Sequence, residues 1–205
     1  MWKRPLDLLV AGAALALCWP VLLLAAVAVA NSSPGPVLFR QRRVGRRGRE
    51  FTLLKFRTMQ VSRDENQPGL AAAEQHRITR LGRFLRAAKI DELPQFWNVL
   101  RGDMSVVGPR PELPRYVACY PEQYRRILTV KPGITNLASL IYRNEEKLLA
   151  AADDPEHEYV HEVLPHKLRL NLDYIAHLSL GQDLRLLWLT ARRLLFASRA
   201  KQSAQ

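Results

Sequence analysis

Asp91 and Glu92 are neighbouring carboxylates followed by Leu93 and Pro94, with arginines at 83, 86 and 110 on either side. Such a pair has two chemical readings. Acidic residues at a helix start commonly cap free N–H groups and complement the dipole. Among fixed cations they can instead help bind a hard metal ion and a phosphate-bearing substrate. The neighbourhood favours the second. Arg83 and Arg86 precede the pair, and Gly108-Pro109-Arg110-Pro111 follows it, with a proline on each side of one arginine. Proline restricts the backbone, so Arg110 has little freedom to lose when its fork meets phosphate oxygens. A helix N-terminus attracts phosphate as well. Carboxylates and fixed cations facing one place suit phosphoryl transfer, which needs positioning, charge neutralisation and a divalent metal. Mg²⁺ would fit, since it takes hard oxygen ligands from one or two carboxylates and the substrate's own phosphates.

Several elements must hold these groups. Ile78, Leu81, Phe84 and Leu85 recur at helical spacing and predict a basic helix over 78–88. Leu93, Phe96, Trp97 and Leu100 predict another, opened by Asp91-Glu92 and Pro94 and stopped at Gly102. Upstream, Val37-Leu38-Phe39-Arg40-Gln41, a turn at Gly45 to Gly48, and a run from Phe51 to Arg57 read as a short β-hairpin crowded with arginine. Its charge either guards an edge or meets lipid headgroups and substrate phosphates. Residues 63–75 read as a polar loop. Further helices are expected over 114–128, 144–152, 159–178 and 184–196. The last has Leu184, Leu187, Trp188, Ala191 and Leu195 on one side, which suits either a membrane interface or core packing.

The chain has 205 residues, enough for one compact domain plus an anchor. Its 31 basic and 19 acidic residues give a formal charge of +12, which calls for an anionic partner: nucleic acid, an acidic bilayer or phosphate-bearing substrates. Two cysteines, one inside an apolar run, make a disulfide framework improbable. The run from Leu8 to Ala30 is uncharged, and as a straight helix it would reach about 35 Å. A cleaved signal fits poorly because the run exceeds a secretory apolar core. Two features favour a re-entrant helix over a span. Pro20 sits mid-run, where it removes a backbone hydrogen bond. Both flanks are basic, with Lys3 and Arg4 before and Arg40, Arg42, Arg43, Arg46, Arg47 and Arg49 after, so the positive-inside tendency keeps both in the cytoplasm.

The stretch from Lys89-Ile90-Asp91-Glu92-Leu93-Pro94 through Arg101-Gly102-Asp103-Met104 to Gly108-Pro109-Arg110-Pro111-Glu112 strongly resembles the core of the bacterial sugar transferases, the monotopic polyprenyl-phosphate phosphoglycosyl transferases. The resemblance extends to Ser33-Pro34-Gly35-Pro36-Val37, Arg43-Val44-Gly45, Lys55-Phe56-Arg57-Thr58-Met59 and Lys131-Pro132-Gly133-Ile134-Thr135, nearly the whole chain. It implies a ping-pong reaction in which Asp91 takes a sugar phosphate from a UDP-sugar, releasing UMP, and polyprenyl phosphate then collects it. By the same resemblance Glu92 would bind Mg²⁺ and Arg110 the phosphates, Arg86 and Arg143 would be further basic site residues, and Pro20 would mark the break of a re-entrant anchor. The resemblance places the protein on the cytoplasmic face of the bacterial inner membrane and leaves a homo-oligomer open.

This chain departs from the family pattern at Trp19-Pro20, where many members have Ser-Pro, and at Asn171, where many have aspartate. The segment Asn136-Leu137-Ala138-Ser139-Leu140 also differs, next to the expected sugar pocket. His157-Glu158-Tyr159-Val160-His161 satisfies the short HExxH zinc-peptidase pattern. A surface helix is preferred there, because the transferase resemblance accounts for far more of the chain. The expected architecture is a mainly helical α/β protein. Residues 1–31 form a re-entrant membrane anchor, and residues 32–205 a cytoplasmic catalytic domain with a small β-hairpin and interfacial helices. A membrane-tethered nucleic-acid-binding module is the rival of another class, and no nucleic-acid partner is expected.

Overall fold

The computed structural model describes residues 3–61 and 75–202, with side chains described as far as residue 193. The chain opens with α1 (Lys3–Ser32), about 45 Å of helix that contains Pro20 without interruption of the helical assignment. Among the described residues it is the one helix long and apolar enough, by length and composition, to cross a membrane. Its middle stands away from the rest of the protein: Leu17 is 79% exposed and Leu24 70%. Its two ends do not. Asp7 and Ala11 are buried near the start, and Ala25 and Val29 near the finish.

Two strands follow, β1 (Leu38–Val44) and β2 (Glu50–Phe56), paired antiparallel from Leu38 opposite Phe56 to Val44 opposite Glu50. The turn between them is a short 3₁₀ segment at Arg46–Gly48, where Arg47 and Gly48 take positive φ. This is the hairpin expected from sequence, slightly longer on its first strand. The polar loop expected over residues 63–75 lies, apart from Gln75, outside the described residues. Helix α2 (Arg80–Ala88) begins at Thr79, whose side chain accepts from the Gly82 amide. It ends at Lys89, which adopts a left-handed φ of 59°. Helix α3 (Gln95–Arg101) stops at Gly102, whose N–H returns to the carbonyls of Asn98 and Val99, as a glycine C-cap should.

Two three-residue strands, β3 (Ser105–Val107) and β4 (Gly133–Thr135), pair in parallel and were not anticipated. Between them, the single helix expected over 114–128 is two, α4 (Pro114–Cys119) and α5 (Pro121–Ile127). The break has a plain cause: Pro121 lacks an N–H, and Tyr120 before it leaves the helical region at φ −135°, ψ 60°. Helix α6 (Leu137–Ile141) is capped by Asn136, whose side chain accepts from Ser139. Then come α7 (Glu145–Ala150), α8 (Pro155–Glu158), a widened turn at Tyr159–Val163, α9 (Leu164–Ala176) and α10 (Leu180–Gln202). The helix expected from 159 thus starts as α8 and widens before α9.

Three apolar clusters hold this together. Tyr116, Tyr124, Ile127, Tyr159, Leu164 and Leu168 unite α4, α5 and α9. Ala11 packs with Leu53, Val99, Met104, Val106, Tyr174 and Leu186, so the start of α1 lies inside a core shared by helices and strands. Ala25 and Val29 pack with Phe56 and Leu85. Helix α10 divides its faces: Leu186 is buried in the core, whereas Leu184 and Trp188 are 48% and 58% exposed. The core-packing expectation is met on the Leu186 side, while the opposite side leaves apolar residues exposed.

Candidate active site

Asp91 and Glu92 lie in a 3₁₀ turn, Ile90–Glu92, between α2 and α3, not in the first turn of α3 itself. Neither caps α3, whose N-cap is Pro94 without a side-chain bond. The left-handed Lys89 delivers this turn, and a lysine held in that region is uncommon. Helix α3 is fixed from behind by Asn98, which is fully buried. Its amide donates to Thr52 O at 2.8 Å and its Oδ1 accepts from Leu54 N at 3.1 Å, taking the place of a neighbouring strand along β2.

Asp91 is 6% exposed, and its Oδ1 has no hydrogen-bond partner among the described residues. Burial raises its pKa above the ordinary aspartate value, against the nearby positive charge of Lys55. Glu92 goes the other way. Its Oε1 meets Arg110 Nη2 at 3.2 Å, Lys55 Nζ at 3.3 Å and Lys89 Nζ at 3.8 Å. Burial disfavours the charge, but Lys55, Arg110 and Lys89 together override it and hold Glu92 ionised well below the usual carboxylate range. Lys55 loses part of its own basicity: desolvation brings it down to about 8, with Glu92 pulling the other way. Arg110 is held charged by Glu92.

The segment that carries Arg110 is tied down on both sides of it. Gly108 N donates to Thr135 O at 3.0 Å, Gly133 N to Pro109 O at 2.8 Å, and Val44 N to Glu112 O at 3.0 Å. Arg43 Nη1 donates to Pro111 O at 3.1 Å and approaches Glu112 at 3.4 Å, while Tyr159 donates to the other Glu112 oxygen at 2.8 Å. A narrow cleft beside Arg110 is lined by Glu112, Ser139, Lys167 and Asn171.

Of the residues expected from sequence, Asp91, Glu92 and Arg110 come together. Arg86 lies on α2, near enough for its charge to act on Asp91, and donates to Thr58 Oγ1 at 2.8 Å and to Glu146 at 2.9 Å. Arg143 is exposed after α6, and among the described residues its side chain has no ion-pair partner. Pro20 lies inside α1. Lys55 was given no role, although a lysine two residues after the buried Leu53 on the same strand face was a readable signal. A buried and a partly buried carboxylate, the first with an unpartnered atom, fit Mg²⁺ completed by phosphate oxygens and water. Among the described residues no group of three His, Cys, Asp or Glu converges on a metal-sized site. His157 and His161 instead stack, with ring centroids 4.1 Å apart.

Comparison with known proteins matches this sequence over nearly its full length. The model of the bacterial sugar transferases covers residues 1–197. A UDP-glucose:undecaprenyl-phosphate glucose-1-phosphate transferase of Caulobacter vibrioides is 42% identical over 97% of this chain and 71% of that protein. A UDP-N-acetylgalactosamine-undecaprenyl-phosphate N-acetylgalactosaminephosphotransferase of Aeromonas hydrophila is 37% identical over 94% of this chain and 43% of its own. An uncharacterized sugar transferase of Bacillus subtilis, EpsL, is 39% identical over 98% of this chain and 91% of its own. The chain spans only about two-fifths of several such relatives. The chain therefore belongs to the bacterial sugar transferase family, and it is an enzyme of the phosphoglycosyl transferase class.

Proposed function

We propose that this protein transfers a sugar 1-phosphate from a UDP-sugar to undecaprenyl phosphate, with Asp91 as the covalent nucleophile. An Asp91 carboxylate oxygen bonds to the sugar-bearing phosphorus of the donor as the bond from that phosphorus to the bridging oxygen breaks, and UMP leaves. An oxygen of the lipid phosphate then bonds to the same phosphorus, and the Asp91 carboxylate departs. The products are polyprenyl-diphosphate-sugar and UMP. Two steps let one site serve a soluble donor and a lipid acceptor in turn. The observation that carries this reading is the contrast within the dyad. Glu92 has one oxygen clamped by three cations, while the buried Asp91 Oδ1 has no partner among the described residues.

Arg110 and Lys55 hold donor phosphates and neutralise charge as the bridging bond opens. Glu92 would hold Mg²⁺, which would supply further charge neutralisation at the phosphates. Relatives at about 40% identity carry different sugars in their names, so the sugar is not fixed by family. The cleft with Ser139 and Asn171 is its natural selector.

The re-entrant anchor on the cytoplasmic face of the inner membrane is part of the proposal. It is supported by the burial of both ends of α1 against one domain, while the middle remains apolar and exposed. A straight span would carry one end some 30 Å away, across the hydrocarbon core.

Purified protein with Mg²⁺, undecaprenyl phosphate and a panel of UDP-sugars should release UMP with at least one donor. Asp91→Asn should abolish release, and mass spectrometry of enzyme trapped without acceptor should find the sugar-phosphate adduct on Asp91. Folded protein that releases no UMP across the panel would overturn the assignment. A nucleic-acid module would instead bind in a steeply salt-dependent way and ignore Asp91→Asn.

A further inference from the structure

The start of α1 does more than begin an anchor. Asp7 is 4% exposed, and its Oδ1 accepts from Ser105 Oγ and from Val106 N, each at 2.8 Å. Strand β3 uses Ser105 and Val107 to pair with β4. The Val106 amide therefore points to the opposite edge, where no third strand runs among the described residues, and Asp7 is its acceptor. One turn earlier, Arg4 donates through Nη1 to Val99 O at 2.6 Å and through Nη2 to Leu100 O at 2.9 Å. Those carbonyls close the last turn of α3, whose other end follows directly from Asp91 and Glu92.

Both routes lead to the reacting groups with little slack. From Val106 the chain reaches Arg110 through Gly108, which lies so close to β4 that a Cβ on Gly133 would fall 2.0 Å from Gly108 N. Pro109 O is fixed by Gly133 N. A shift of β3 must therefore move Arg110. Helix α3 is only seven residues long, about 10 Å, and transmits a displacement as a rigid unit. The 3.2 Å contact between Glu92 and Arg110 thus has one partner referenced to Arg4 and the other to Asp7.

We propose that Arg4 and Asp7, in the first turns of the membrane helix, are positioning residues for the reaction: Asp7 sets Arg110 through β3, and Arg4 sets the carboxylate turn through α3. The anchor is then a structural member of the active site, and the seating of α1 fixes the geometry of the donor site. This rests on the transferase reading for its kinetic consequence only.

The test uses full-length protein in lipid nanodiscs, as wild type, Asp7→Ala and Asp7→Asn. Amide exchange over Ser105 to Gly108 should run about tenfold faster in Asp7→Ala and stay near wild type in Asp7→Asn, which keeps an acceptor oxygen. This measurement needs no substrate, so a wild type that released no UMP would sink the proposed function and leave the positioning role to be judged by exchange. The second measurement is UMP release with the UDP-sugar the wild type turns over fastest. A variant that merely folds less well loses rate in proportion to its folded fraction and keeps its donor KM. Displacement of Arg110 raises that KM by about tenfold and lowers kcat as well, with Asp7→Asn restoring both. Unchanged exchange in Asp7→Ala, or lost rate at unchanged KM, overturns the proposal. Should Asp7→Ala not fold, Ser105→Ala removes one of the two donors to the carboxylate and carries the same pair of measurements.

Discussion

Two adjacent carboxylates rarely share a role once their surroundings differ, and Asp91 and Glu92 are driven apart by opposite forces. Burial makes Asp91 harder to ionise, while three cations keep Glu92 charged. In the proposed reaction, a nucleophile of raised pKa beside an ionised metal ligand would be a division of labour set by environment. The pH profile should show it. The acid limb of kcat/KM for the donor should lie above the ordinary aspartate value, because Asp91 attacks only when ionised. The alkaline limb belongs to Lys55, which is charged below about 8 and neutral above it. Rate should therefore fall as pH rises through that value, and Lys55→Arg, which stays charged, should flatten the fall. An alkaline limb left in place by Lys55→Arg would remove Lys55 from the site. Asp91, Glu92 and Arg110 were legible in sequence because their types and spacing already suggest phosphate chemistry. Lys55 was hidden among many basic residues of one hairpin; only its place on the buried strand face sets it apart.

At the scale of elements, the site depends on side chains that stand in for missing strands and caps. Asn98 supplies both a donor and an acceptor to the backbone of β2. Replacing it with alanine leaves Leu54 N–H and Thr52 O without partners and should cost about 1–3 kcal/mol. Denaturant unfolding of the two proteins in one detergent would measure it, with UMP release falling more than the folded fraction does. Gly133→Ala should destabilise by a similar ~1–3 kcal/mol, since its Cβ would collide with the Gly108 backbone. The hairpin, α2 and α3 were readable from periodicity, and Gly102 from its capping chemistry. The β3–β4 pair was not, because three residues are too few to show a period of two. Nor was the break at Tyr120, although Pro121 was its visible cause. The apolar spacing on either side overrode a signal that should have ended the helix.

For the whole molecule, charge called for an anionic partner without choosing among nucleic acid, an acidic bilayer and phosphate-bearing substrates. The apolar run did not reveal that the start of α1 packs into the core that carries α3 and β3. Lys3 meets Asp183 and Tyr174, and Arg57 donates to the carbonyls of Val29, Ser33 and Pro34, so polar contacts fasten α1 at both ends. A single cysteine placed before Leu6, in protein lacking Cys18 and Cys119, should react with a membrane-impermeant thiol reagent from the cytoplasmic side only. Labelling from the outer face would refute the re-entrant topology. The proposed topology would also decide how the protein reaches a membrane. With both charged flanks on one side, no charged flank would have to be hauled through hydrocarbon, so delivery would require no export channel and need not accompany synthesis. Protein made in a membrane-free translation mix and added afterwards to plain liposomes should float with them and resist stripping by alkaline carbonate.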